Sequence, residues 1–348
     1  TINDRVTKLK EKSKAKNTQD KYEGDWLKFR NYCKKKYDCE PLDVDDLNSA
    51  YALTANYMDW LHEDPEAMIL KGSSNLPGRE NLNNNPYSST SYKASTIQRI
   101  LASITYKYRL NGYQFDRKNP NISETISAIV RDEKNLKSGQ AKEILKADVV
   151  KIIDSITDDT EDFRNIRDKA LILIGFYSFC RRSELLGMKY EHLNFENDGI
   201  QVLIPFSKTD QTGEGRMIFL PATNDSYCPV KALNEWLEVS RVDNGPLFYK
   251  INKSNTIEKY TINQKNQKVS LNDSSFVLIL KKRAIAAGIE NCDKISGHSL
   301  RIGSITQARM NGVPTHEIMA QSGHKTTQMI DRYTKLTNIK ETSAAKKI

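Results

Sequence analysis

Six side chains in the second half of this 348-residue chain carry the chemistry of a phosphate ester: Arg181, Lys208, His298, Arg301, His324 and Tyr333. An arginine is permanently charged and presents a planar fork of N–H donors that matches phosphate oxygens. A lysine can protonate a departing oxygen, a histidine can take or give a proton near neutral pH, and a tyrosine hydroxyl can attack as a nucleophile. In Gly297-His298-Ser299-Leu300-Arg301 the spacing of three puts His298 and Arg301 about one turn apart on one helix face, within reach of a single phosphate. An isolated His-x-x-Arg is ordinarily no more than the polar edge of an amphipathic helix. Here Gly323-His324 and Asp331-Arg332-Tyr333 follow it closely, and Arg181 and Lys208 precede it.

Local patterns say what would position these residues. Asp162 to Phe179 reads as a long helix ending close to Arg181. Ile200 to Ile204 and Met217 to Leu220 read as two β-strands around a polar turn, Ser207 to Gly215, with Lys208 near its start; a turn lysine is ordinarily a solvated charge. Val313 to Gly323 reads as a short helix with Pro314 near its first turn and Gly323 just past its end. Thr326 to Tyr333 begins a further short helix with a threonine cap.

On these residues the stretch from Ala170 to Leu336 resembles the catalytic domain of the tyrosine recombinases, or phage-type integrases. The family's first arginine matches Arg181 in Arg181-Arg182-Ser183-Glu184-Leu185, where the spacing to Glu184 selects Arg181 over Arg182. Its hairpin lysine matches Lys208, its His-x-x-Arg matches His298 and Arg301, its later histidine or tryptophan matches His324, and its nucleophile matches Tyr333. The resemblance implies a mostly α fold with a small antiparallel β-sheet: an N-terminal helical core-binding domain plus a mixed α+β catalytic domain. It implies that Arg181 and Arg301 hold the phosphate oxygens, Lys208 protonates the leaving 5′ oxygen, His298 is the base and His324 a hydrogen-bond donor to the phosphate. Glu184 would orient its neighbours, and Tyr333 would form a 3′-phosphotyrosine. The function implied is site-specific recombination through a Holliday junction. The implied assembly is a homo-tetramer on two double-stranded DNA sites, each with a specific sequence and inverted repeats. Integrase, resolvase and transposon recombinase stay open. So do two rivals, type IB topoisomerase-like relaxation and a non-cutting DNA-binding relative, the latter disfavoured because all six catalytic positions are filled.

Composition points the same way with less specificity. A net charge of +9 and a pI near 9.1 favour a polyanionic partner, because releasing counterions from phosphates rewards clustered Lys and Arg. The longest apolar run, Ala170 to Phe176, suits a buried helix and falls well short of the ~18 residues that cross a bilayer, so no membrane partner is expected. The charged start through Lys16 does not read as a secretory signal, and a cytoplasmic protein is expected, nucleoid-associated in a prokaryote. Five cysteines without a Cys-x-x-Cys pair read as free thiols. No phosphate-binding glycine loop or metal-spaced carboxylate cluster is visible, so catalysis with no cofactor, metal or ATP is expected. His62, His192 and His316 have no evident partner.

Residues 1–138 form the expected helical, DNA-clamping domain, 139–146 a linker, and 147–348 the catalytic domain with a short C-terminal tail. Tyr22 to Tyr37, Val44 to His62, Ile97 to Tyr108 and Ile122 to about Lys137 carry helical patterns. Their aromatic and aliphatic stripes read as bundle core rather than base-stacking platforms. Arg99, Lys107 and Arg109 lie off the third stripe and could meet phosphates, as could Lys281, Lys282 and Arg283 on a helix from Phe276 to Ala287. Residues 72–93 read as a long loop, and 251–270 as a surface loop or weak hairpin.

Overall fold

Trp26, Phe29, Tyr32 and Cys33 recur at helical spacing, and the chain from Lys16 to Tyr37 is a helix, α1, that buries them. In the computed structural model, residues 16–63, 67, 92–135, 141–157, 159, 161–205, 215–259, 262 and 269–334 are described, and the chain divides into two units at Ser138/Gly139. Expected features at 1–15, 68–91, 206–214, 263–268 and 335–348, including Lys208 and the tail, lie outside the described residues.

The first unit contains α1 with α2 (Leu47–Glu63), α3 (Ala94–Leu110) and α4 (Pro120–Asn135). Asp46 Oδ1 accepts the Ser49 N–H at 2.7 Å where α2 begins, and Asn119 Oδ1 accepts the Asn121 N–H at 3.0 Å where α4 begins. Helix α3 starts at Ala94, and Lys93 occupies the cap position without a side-chain bond. The stripe Ile97, Ile100, Leu101, Ile104 and Tyr108 is buried throughout. Tyr108 stacks on Phe115 with ring centroids 4.8 Å apart, and Phe29 meets Tyr57 at 5.1 Å. Such pairs add roughly 0.5–1.5 kcal/mol each beyond area burial, so these aromatics are core.

The second unit contains α5 (Lys146–Asp154), α6 (Phe163–Tyr177), α7 (Arg182–Leu186), strands β1 (Leu193–Phe195), β2 (Gly199–Ile204) and β3 (Arg216–Pro221), and α8 (Pro229–Ser240). It continues with α9 (Asp273–Ala286), α10 (Ser299–Met310), α11 (Thr315–Ser322) and α12 (Thr327–Thr334). The sheet is antiparallel in the order β1-β2-β3, with Ile204 opposite Arg216 at the β2–β3 end. The mostly helical fold with one small antiparallel sheet is the expected class; β1, α7 and α8 are additional to the elements read from the sequence. Ala170 to Ile174 on α6, buried on every side, pack with Ile200, Val202, Ile218, Leu220, Leu233, Trp236 and Phe276 in the main core. A second cluster, Ile305, Ala308, Ile318 and Ile330, joins α10, α11 and α12, which carry or flank four of the six phosphate-chemistry positions.

Part of the expected linker is not a linker. The Lys142 N–H donates to Lys294 O at 3.0 Å, the Ile144 N–H donates to Ser299 O at 3.2 Å, and Ile144 is fully buried in the second core. Gly303 on α10 makes room for this strap, since a Cβ there would lie 1.7 Å from Ile144 O. The segment is largely polar in sequence, while its backbone is paired at Lys142 and Ile144 and the Ile144 side chain is inserted into the core. Farther on, Ile251 and Ile257 form an isolated antiparallel bridge, the weak-hairpin alternative for that stretch. Among the described residues no helix is long and apolar enough to cross a membrane.

Candidate functional site

Helix α6 ends at Tyr177, and two residues later Phe179 adopts φ 56°, a left-handed backbone that bulky residues rarely tolerate. This reversal puts Arg181 at the head of α7. Arg301, in the first turn of α10 and 3% exposed, crosses to the same place: its Nη1 donates to Phe179 O at 2.6 Å and to Ser322 O at 2.8 Å. One guanidinium thereby ties the turn before Arg181 to the end of α11.

Glu184 is the other organiser. Its buried carboxylate accepts Arg181 Nη1 on Oε1 at 2.8 Å, and on Oε2 it accepts the Arg181 backbone N–H and Arg216 Nη2, each at 2.9 Å. Burial works to raise the Glu184 pKa, but the hydrogen bonds and charges of Arg216, then Arg181, outweigh it and the pKa is lowered. Arg182, one step along the helix, turns away and pairs with Asp273 Oδ2 at 2.6 Å, so the two adjacent arginines have separate partners.

His324 follows Gly323, whose φ of 71° closes α11. Its Nε2 lies 3.0 Å from Arg301 Nη2 and its Nδ1 lies 2.8 Å from Ser322 Oγ. A guanidinium has no lone pair, so Nε2 must accept from it, which assigns the ring proton to Nδ1. Burial, then Arg301, Arg181 and Arg216, lower the His324 pKa to about 4, and the ring is neutral at pH 7. His298 caps α10, its N–H donating to Ser296 Oγ at 3.2 Å. It is exposed to solvent, yet partial desolvation, then Arg301, Arg182 and Arg181, lowers its pKa as well. The structure thus brings Arg181, Glu184, His298, Arg301 and His324 into one electrostatically coupled cluster. Tyr333 lies on α12, the helix after His324; Lys208 belongs to the segment between β2 and β3 outside the described residues.

Three further residues emerge here. Arg216 opens β3 on the same face as the buried Ile218 and Leu220, and that alternation is the one sequence signal that could have singled it out. Ser322 fixes the His324 ring. Gln321 accepts from the Phe219 N–H at 3.3 Å and donates to Phe219 O at 2.9 Å, fastening α11 to the edge strand β3.

The residues expected to meet phosphates fare differently. Arg99 pairs with Asp25 and Lys107 with Glu23, while Arg109 Nε donates to Phe115 O at 2.9 Å. Lys281 Nζ donates to Asp293 O at 2.9 Å and Lys282 is exposed. Arg283 is turned into the protein, with Nε on Asp168 Oδ2 and Nη2 on Asn165 Oδ1, both at 2.8 Å; it is a structural arginine rather than a DNA-facing one. His62, without an evident partner in the sequence, has Nε2 3.7 Å from both Glu63 and Asp132, two exposed carboxylates, and is the one group among the described residues whose donor atoms could gather round a metal. His192 Nδ1 accepts the Lys189 N–H at 3.3 Å, and His316 is exposed beside Glu317.

A model of the phage integrase family matches residues 142–339, more than half of the chain. An integrase/recombinase XerD homolog from Selenomonas ruminantium is 30% identical over 334 residues, covering 94% of this chain and 84% of the relative. Tyrosine recombinase XerA from Pyrococcus horikoshii is 23% identical over 249 residues, 71% of each chain. The solved structure of XerH site-specific recombinase bound to palindromic difH substrate, in a post-cleavage complex, shares the fold: its TM-score is 0.57 at 17% identity, over 94% of this chain and 78% of that one. The chain belongs to the phage integrase family and is a tyrosine site-specific recombinase, an enzyme acting on DNA.

Proposed function

We propose that the chain cleaves one strand of each partner duplex with Tyr333, holds a 3′-phosphotyrosine, and exchanges strands through a Holliday junction. It would do so as a homo-tetramer on two double-stranded DNA sites with inverted repeats. The observation that supports this reading best is the convergence of Arg181, Arg301 and two histidines of lowered pKa, from segments about 120 residues apart, on one site walled by the backbone of Phe179 and Ser322.

In-line attack on a phosphodiester develops negative charge on the non-bridging oxygens and on the departing 5′ oxygen. Arg181 and Arg301 supply fixed positive charge for the former inside a protein-walled pocket, where it acts more strongly than in water. Lys208, on the β2–β3 connection, protonates the latter. An unperturbed tyrosine hydroxyl has a pKa near ~10, so Tyr333 needs a base. His298, neutral and exposed at the mouth of the cluster, suits that role. Neutral His324 holds Arg301 in the DNA-free chain, and its contribution to the phosphate follows once DNA competes for those N–H groups.

The test is a DNA duplex carrying the recombination site, obtained by selecting sequences that the wild-type chain binds, with a nick that traps the cleaved strand, incubated in EDTA without ATP. Mass spectrometry should find a covalent nucleotide on Tyr333. An adduct on any other residue, or cleavage that requires added magnesium, would overturn the mechanism.

A further inference from the structure

Arg216 is the least expected member of the cluster. Its side chain is 15% exposed, on the buried face of β3, where an aliphatic residue would fill the same space without the cost of desolvating a cation. Nη2 reaches Glu184 Oε2 at 2.9 Å and Cys180 Sγ at 3.6 Å. The other edge of the guanidinium, Nε and Nη1, is buried and meets no acceptor among the described residues. It lies under the Gly323 turn, where a Cβ would come within 2.9 Å of Nη1 and 3.1 Å of Nε. Gly323 is therefore demanded twice, by its positive φ and by this arginine beneath it.

Three parts of the site meet at that one guanidinium. They are the carboxylate that holds Arg181, the turn that carries His324, and the strand that leads directly out of the 206–214 segment containing Lys208. We infer that Arg216 is a positioning residue for strand cleavage, setting Arg181 through Glu184 and the Gly323-His324 turn by packing, so that hairpin and phosphate pocket are aligned as one piece. This rests on the reading that Arg181 and His324 attend the scissile phosphate. A cation that only filled space would be replaceable by any side chain of its volume. One that sets Arg181 and adds to the burial, Arg301 and Arg181 that keep His324 neutral is not, because its loss alters both the direction of a catalytic charge and the proton affinity of a neighbouring ring.

The experiment compares wild type, Arg216→Gln and Arg216→Lys on the selected duplex and on the same duplex with sulfur at the 5′-bridging position. Arg216→Gln should cleave about 100-fold more slowly on both substrates, the size expected for losing one aligned electrostatic contact, with DNA affinity and melting midpoint close to wild type. Sulfur should not rescue it, because the defect lies at the phosphate and not at the leaving group. The acidic limb of its pH–rate profile should move to higher pH, since one of the charges that keep His324 neutral is gone. Combining Arg216→Gln with Glu184→Gln should cost no more than the worse single change. Arg216→Lys keeps the charge but loses the planar group under Gly323, and should be about tenfold slow. If Arg216→Gln fails to fold, Arg216→Lys carries the test alone. Wild-type rates and an unmoved acidic limb in every variant that folds would overturn the inference. So would losses that multiply in the double variant and track DNA affinity. Absence of a Tyr333 adduct in the wild type would instead overturn the underlying mechanism.

Discussion

Asp168 and Glu184 each bind two arginine side chains inside the second unit, yet their surroundings differ. Asp168 takes Arg167 on Oδ1 through Nε at 3.0 Å and Nη2 at 2.7 Å, and Arg283 on Oδ2 at 2.8 Å; the two arginines spend further N–H groups on Tyr249 O and Asn165 Oδ1. That triad is directed inward. The Glu184 triad has the same chemical parts, but Arg216 leaves donors unmatched among the described residues, and two histidines of lowered pKa adjoin it. The difference teaches that an Arg–carboxylate–Arg motif is structural or functional according to where its unspent charge points.

The contrast is tested most severely at the nucleophile. Tyr333→Phe keeps the ring, and should abolish cleavage on ordinary and sulfur-substituted DNA while gel-shift affinity stays within a fewfold of wild type; retained cleavage would strip the Glu184 triad of its proposed purpose. Next, Lys208→Ala should slow cleavage by about 10²–10⁴-fold, with recovery on the 5′-bridging sulfur substrate, whose leaving group needs no proton.

A smaller effect separates the two triads themselves. Asp168→Asn leaves the buried Arg167 and the partly buried Arg283 short of a counter-charge and should lower stability by about 3 kcal/mol, roughly 6–12 °C in melting midpoint, with the cleavage rate of the folded fraction little changed. Glu184→Gln should show the opposite balance, a modest shift in melting and a large loss of rate. Equal profiles for the two variants would erase the distinction.

The most gradual effect is on pH. His324 has a folded pKa of about 4 against an ordinary value of ~6.5, so the unfolded chain binds the extra proton between those pH values. Stability from this residue is complete above the unfolded value and is lost as pH falls through the window towards 4. The lowered Glu184 pKa adds loss in the same direction at more acidic pH. Stability should therefore decline from pH 6.5 to 4, by up to about 3 kcal/mol from His324, with a falling melting midpoint, and His324→Gln should flatten that slope. An unchanged slope would mean that the ring is not held neutral.

Most elements that carry the site were legible locally. The alternation Ile200 to Ile204 and Met217 to Leu220 predicts β2 and β3, Pro314 and Gly323 bracket α11, and Asn119-Pro120 starts α4. The missed elements had weaker signals: β1 is three residues long, α7 is five, and α8 begins at Pro229 behind a cysteine cap instead of a serine or aspartate. The linker was misread because a docked strap is held by backbone bonds to Lys294 and Ser299, partners about 150 residues away. Arg283 was read as DNA-facing from its neighbours Lys281 and Lys282, whereas its true partner is Asp168 on another helix.

By itself the sequence determined the family, the residue types that phosphate chemistry needs, and the helix or strand that carries most of them. These are local matters of spacing, caps and side-chain period. Only the tertiary structure decided which charges are spent and on what. It set Arg301 against Phe179 O and Ser322 O, put Arg182 on Asp273, spent Arg283 on Asp168, and brought Arg216 beneath Gly323. The physical reason is that a buried cation's partner is chosen by desolvation. Whichever acceptor the fold brings near must take it, however far away in the chain that acceptor lies, and no local period records the choice.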